Sequence, residues 1–384
     1  METSQAPVAN TRGLHSQALD LLRFPLAIIV VMSHIYPKFI SGDMYLEESC
    51  QTVNYLFNGL VNFFYSFCRL QSVPIYFFIS GYVFFLGIEF SKDTYVRKMK
   101  NRAKTLLIPY LIWNTFAIVS LLVTNLPALI KIPSLLNLHG LPSAYWIYNE
   151  SLLSTVDNSW NTSLPIDVPL WFVRDLMIIV LCTPIINWLI EKFRFWPVLF
   201  FGCLWFGNIF IKPYDPFGLS SGFFTGFFFF SLGAYMSINK KNMVTEFGRF
   251  FKLSMILYPL LGVLCMLSAY ICPASTLVIK QLTVLAGLLF AYNVAVWLLR
   301  GGYYKANPFL ASASFFVYVS HYFIRDLVVS ALYTIFRVNH PTDTAHVFLH
   351  KTLTFALTVT ISLTAFWLLK RYTPSLLRVL TGRK

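Results

Sequence analysis

Apolar residues gather into ten runs, near residues 20–39, 72–90, 105–124, 169–190, 195–211, 222–238, 253–272, 278–299, 308–335 and 346–369, with polar stretches between them. Each is about 17 to 28 residues long. At 1.5 Å per residue that is enough helix to cross about 30 Å of hydrocarbon. The pattern predicts an all-α, polytopic transmembrane bundle of about ten helices. The run Val53–Phe67 is apolar but too short to span, and reads as an interfacial or re-entrant helix. No internal repeat or separate soluble domain is visible. The expected organisation is a leader over residues 1–19, a membrane domain over 20–369 and a basic tail over 370–384.

Composition sharpens this picture. Of 384 residues, 57% are hydrophobic and 12% charged, against about 45–50% and about 25% in soluble domains. The formal charge of +14 would suggest a nucleic-acid partner in a soluble protein, but its distribution excludes one. Twenty Lys and Arg fall in alternate connections and seven in the opposite ones. This is the asymmetry left when cytoplasmic loops retain positive charge during insertion, so both termini are expected in the cytoplasm of a multi-pass plasma (inner) membrane protein surrounded by lipid. The polar first nineteen residues lack a small-residue cleavage site, so the first run reads as an uncleaved helix. The six cysteines form no Cys-x-x-Cys pair, which argues against zinc. Cys50 and Cys68 share one predicted outer segment and are candidates for a disulfide.

Ionisable side chains are costly in hydrocarbon and mark function by default. Five stand out: Arg23, His34, Arg174, Asp175 and His321. Arg23 and His34 are eleven residues apart, within about 20° of whole helical turns, so they share a face about 16 Å apart along the axis. Counting the rise from the inner helix ends puts His34 and His321 both about 20 Å up. If the helix near Pro169 starts at the outer boundary, Arg174 and Asp175 fall in the same layer. Adjacent residues point about 100° apart, so Arg174 and Asp175 are expected to have separate partners. Each polar group also has a structural reading: a purely structural role for Arg174 and Asp175, and interhelical hydrogen bonds for His321 and His34. Arg325 and Asp326 sit where snorkelling makes charge cheap, and no chemistry is assigned to them.

A histidine suits removal of a proton from a hydroxyl in acyl transfer, and a nearby guanidinium suits the oxyanion that develops on a thioester carbonyl. The basic stretch Lys92–Lys104 reads as a topology signal or as a site for the phosphates of coenzyme A or anionic lipid; its candidate ligands are Arg97, Lys98, Arg102 and Lys104. The long polar connection from Asn125 to Val168 carries Tyr145, Trp146, Tyr148 and Trp160. These aromatics are expected either at the headgroup interface or as a platform for sugar rings.

Other hits are set aside. Gly218–Gly222 spells a nucleophile elbow without the strand such an elbow requires. His346 and His350 lack a third ligand, so no metal site is expected. Asn161–Ser163 is a glycosylation acceptor only in a eukaryotic secretory setting, and no Gly-rich phosphate loop points to an ATP-driven pump.

Five segments in order resemble membrane-bound acyltransferase family 3. They are Leu21-Leu22-Arg23 with His34, Val73–Tyr82, Arg102–Tyr110, Pro169–Val173 and Ser314–His321. The resemblance covers roughly Ala18 to Phe366. It implies ten helices, acetyl coenzyme A as cytoplasmic donor, and an acceptor reached from the outer face, such as a surface glycan or lipid-linked sugar. It also implies that Arg23 and His34 form the essential pair, with His34 as base or transient acyl carrier, and that the basic segment helps bind the donor. The competing expectations are an exporter using the same polar layer as a transport site and a structural subunit of an envelope complex.

Overall fold

Each of the ten apolar runs is built around a helix in the computed structural model, which describes residues 8–35, 63–146, 152–153, 164–207, 222–336 and 344–382. Helix α1 (Val8–Ile35) is followed by α2 (Leu70–Phe85), which continues a π-helical turn at Tyr65–Arg69. Next, α3 (Lys92–Arg102) passes through a second π-helical turn, Ala103–Leu107, into α4 (Ile108–Thr124). The remaining helices are α5 (Trp171–Leu181), α6 (Thr183–Phe193), α7 (Trp196–Gly207), α8 (Gly222–Ile238), α9 (Phe251–Ile271), α10 (Pro273–Arg300), α11 (Pro308–Phe336), α12 (Thr344–Tyr372) and α13 (Pro374–Thr381).

Among the described residues, six of these helical stretches are long and apolar enough to cross a membrane, seven if α5 and α6 count as one span. These two meet at a 58° bend, where Pro184 removes a backbone donor from the first turn of α6. The other expected crossings, α2, α7 and α8, are shorter helices of 16, 12 and 17 residues.

The distribution of polarity is that of a protein dissolved in lipid. Ile256, Ile335 and Trp196 are about 70% exposed, whereas Arg174, Asp175 and His321 are fully buried. With no water to satisfy them, interior polar groups bond between helices. The Asn293 amide of α10 donates to the Ser254 hydroxyl of α9 at 3.1 Å, and the Thr283 hydroxyl of α10 donates to the Leu261 carbonyl at 3.3 Å. Apolar association in lipid depends on close backbone approach, and the crossing of α2 with α8 shows it. A Cβ on Gly81 would overlap the Phe230 carbonyl, and one on Gly233 would overlap the Phe78 carbonyl. Only glycine permits either contact.

Helical structure extends beyond both expected limits of the membrane domain. Helix α1 extends well before residue 20, and the His15 ring bonds the Tyr292 hydroxyl at 2.8 Å. The basic tail folds back as α13: Leu377 and Leu380 are buried, and the Trp113 indole donates to the Leu380 carbonyl at 3.0 Å. Cys50, Tyr148, Trp160, Asn161 and Gly218 lie outside the described residues.

Candidate functional site

Helix α1 packs alongside α11, and this pairing brings His34 and His321 together with ring centroids 5.2 Å apart. One turn earlier on α11, the Tyr318 carbonyl lies 2.6 Å from Nδ1 of His321. A carbonyl only accepts, so Nδ1 carries the hydrogen and Nε2 presents its lone pair. That Nε2 is buried and has no hydrogen-bond partner among the described residues. One turn further along, Arg325 donates from Nη1 to the His34 carbonyl at 3.2 Å. Its guanidinium lies 4.0 Å over the Tyr322 ring, and it pairs with Asp326 at 2.5 Å. Tyr322 in turn stands edge-on to His34 at 5.8 Å.

On the side of the histidines nearer the basic helix α3, a cavity of about 290 Å³ is lined by Arg23, Tyr76, Ser80, Arg102, Tyr318 and Thr381, among others. Arg23 is held at its mouth by Asp20 at 2.6 Å, and the Arg23 carbonyl accepts the Tyr76 hydroxyl at 2.6 Å. The π-helical turn after α3 turns Arg102, Thr105 and Leu106 onto this cavity, a frequent use of such turns. Among the four basic candidates of this segment, Arg102 lines the cavity. The Lys98 ammonium donates to the Phe84 carbonyl and sits 4.7 Å over its ring, while Arg97 and Lys104 are exposed.

The Tyr318 hydroxyl donates to the Pro169 carbonyl, which ties the start of α5 to α11. The expectation of separate partners for Arg174 and Asp175 gives way. Arg174 donates from Nε and Nη2 to one oxygen of Asp175 at 3.0 and 2.9 Å, because a long guanidinium spans the 100° between adjacent positions. Its Nη1 donates to the Trp146 carbonyl at 2.7 Å, with the guanidinium 5.4 Å from the Trp146 ring. Trp146 is therefore fastened into the bundle.

A second cavity, about 360 Å³, lies between α4 and α11. Trp113, Ala117, Asp167, Tyr322 and Asp326 contribute to its wall. Tyr318 lines the first cavity, with its ring 6.3 Å from that of His321; Tyr322 lines the second, with its ring 5.8 Å from that of His34. Each histidine is thus next to a tyrosine that lines one of the two cavities. Sequence reasoning missed Tyr318, Tyr322, Arg325 and Asp167. For Tyr318 and Arg325 the signal was present, since positions one turn either side of His321 share its face.

The imidazole pair thus sits in the interior of a helical membrane bundle. An acyltransferase domain family matches residues 16–370, and the chain belongs to that acyltransferase family. A relative, the succinoglycan biosynthesis protein ExoH of Rhizobium meliloti, is 28% identical over 158 residues, 40% of this chain and 40% of that protein. The chain thus matches less than half the length of that relative. No solved structure matches.

Proposed function

We propose that the protein transfers an acyl group, acetyl in the simplest case, from cytoplasmic acyl coenzyme A to a hydroxyl of an extracytoplasmic glycan or lipid-linked sugar at the plasma membrane. The observation that carries this reading is the His34–His321 pair, 5.2 Å apart and flanked by the tyrosines that line the Arg23 cavity and the Asp167 cavity. The donor arrives from the basic end. A cavity of about 290 Å³ suits an extended acyl-pantetheine arm rather than a whole nucleotide, which leaves the phosphates among the exposed basic residues of α3, with Arg102 and Arg23 at the entrance.

At the histidine pair, the acceptor oxygen attacks the thioester carbonyl. His34 takes the hydroxyl proton, the carbon–sulfur bond breaks, and the proton passes to the departing thiolate. A covalent acyl-histidine divides the same transfer into two steps at the same nitrogen. His321, fixed through Nδ1, offers Nε2 to a proton or hydroxyl. The Arg325 guanidinium holds the His34 backbone and caps Tyr322. Arg174 clamps Trp146 and takes no part in the chemistry on this reading. The agreement with ExoH, a protein named for succinoglycan biosynthesis, supports a glycan acceptor.

The test is acyl transfer from labelled acetyl coenzyme A by purified protein in proteoliposomes, with His34→Ala and His321→Ala beside the wild type. Loss of about 10²–10⁴-fold for His34→Ala, with donor binding retained, is the expected result. Undiminished transfer in His34→Ala would remove the central residue of the mechanism.

A further inference from the structure

We infer that the cavity between α4 and α11 is the docking site of the acceptor sugar, and that Asp167 is the residue that orients its hydroxyl group. The inference rests on the acyltransferase reading and adds to it the place and the chemistry of acceptor recognition.

Three observations carry it. The cavity adjoins the histidine pair through Tyr322, which lines it and packs edge-on against His34 at 5.8 Å. A ligand in the cavity is therefore one side chain away from the imidazoles. Asp167 lines the cavity yet is only 4% exposed, and its Oδ1 has no hydrogen-bond partner among the described residues. Its own backbone is already committed, with the Asp167 N–H donating to Asn114 Oδ1 at 3.2 Å. A buried carboxyl oxygen beside a cavity is costly unless a donor is delivered to it, and a small shift of the side chain would turn Oδ1 toward a ligand there. The third observation is the make-up of the wall. Trp113 and Tyr322 bring aromatic side chains to the wall, and Asp167 and Asp326 bring acidic ones. Aromatic and acidic side chains together match a polyol ring, which presents both C–H faces and hydroxyl groups. Asp326 is tied to Arg325 at 2.5 Å, so Asp167 holds the uncommitted oxygen.

The chemistry adds a constraint. The hydroxyl that reacts gives up its proton to a histidine, so an acceptor oxygen elsewhere must hold the sugar by a neighbouring hydroxyl. Asp167 fills that role as a positioning residue and does not touch the transferred acyl group.

The experiment is a steady-state comparison in proteoliposomes, with labelled acetyl coenzyme A and oligosaccharides released from the host's surface glycans as the acceptor probe. One charged hydrogen bond to a hydroxyl corresponds to about a 10–100-fold change in binding. Asp167→Leu is expected to raise the acceptor KM by that factor, leaving the donor KM and the rate at saturating acceptor within a few-fold of wild type. Asp167→Asn, which retains an acceptor oxygen, is expected to recover most of the loss. Ala117→Trp narrows the cavity from the α4 wall and is expected to raise the acceptor KM in the same way, and it decides the matter if Asp167→Leu fails to accumulate. An unmoved acceptor KM in an active Asp167→Leu or Ala117→Trp protein overturns the inference and spares the acyltransferase reading. So does a change confined to the donor KM. A wild-type protein that consumes no thioester with this acceptor fails the acyltransferase reading itself and takes the inference with it.

Discussion

Replacing Arg174 by Met separates structural from chemical use of the most deeply buried charge in the bundle. Both side chains of the Arg174–Asp175 pair are fully enclosed, and the guanidinium makes two bonds to Asp175 and one to the Trp146 carbonyl. Removing the cation leaves the Asp175 carboxylate facing an apolar side chain. Breaking a buried pair from one side costs about 3–5 kcal/mol, a drop in the folded-to-unfolded ratio of roughly a hundred- to several-thousand-fold. The double variant Arg174→Met/Asp175→Leu removes both charges with volumes nearly kept, and is expected to regain most of the stability. The assay is equilibrium unfolding in mixed micelles, read beside acyl transfer per mole of folded protein. The account predicts a low midpoint for the single variant, recovery in the double, and near-normal specific activity in both. A normally stable but inactive Arg174→Met would refute the reasoning and return Arg174 to the chemistry.

Other outcomes follow from the same geometry. Arg102→Glu reverses charge at the entrance of the Arg23 cavity and should raise the donor KM at least ten-fold with the acceptor KM unchanged, whereas Lys104→Glu, on an exposed side chain, should move it far less; equal effects would contradict the entrance. Gly81→Ala must push α8 off α2 against the Phe230 carbonyl, a cost of about 1–3 kcal/mol or more, seen as reduced thermostability in detergent, and a wild-type midpoint would contradict the close crossing. His321→Gln keeps a donor toward the Tyr318 carbonyl but removes the Nε2 lone pair; it should lose activity while retaining stability, and wild-type turnover would exclude that nitrogen from the transfer.

Much of this was legible in the sequence because lipid leaves little freedom. The ten apolar runs each mark a helix, and counting rise per residue from the inner ends of the first and ninth put His34 and His321 in one layer, where their rings now lie 5.2 Å apart. The mutual pairing of Arg174 with Asp175 was not legible, because the 100° offset between adjacent helical positions says nothing of how far a guanidinium reaches round its own helix. Arg325 was set aside as a snorkelling charge, although its spacing of four from His321 gives it the same helix face. Its contact with the His34 carbonyl depends on how α1 and α11 pair, which is tertiary information. The C-terminal helix α13 was hidden for a different reason. Its basic composition suggested a solvated tail, while Leu377 and Leu380, three apart, bury one face.

The most direct test of the central claim is label transfer in inverted membrane vesicles given acetyl coenzyme A labelled in its acetyl group, comparing wild type with His34→Ala at equal folded protein. Label on the glycan from wild-type vesicles, and about 10²–10⁴-fold less from His34→Ala, is the result the account predicts. Equal labelling from both would contradict it by removing the histidine pair from the chemistry.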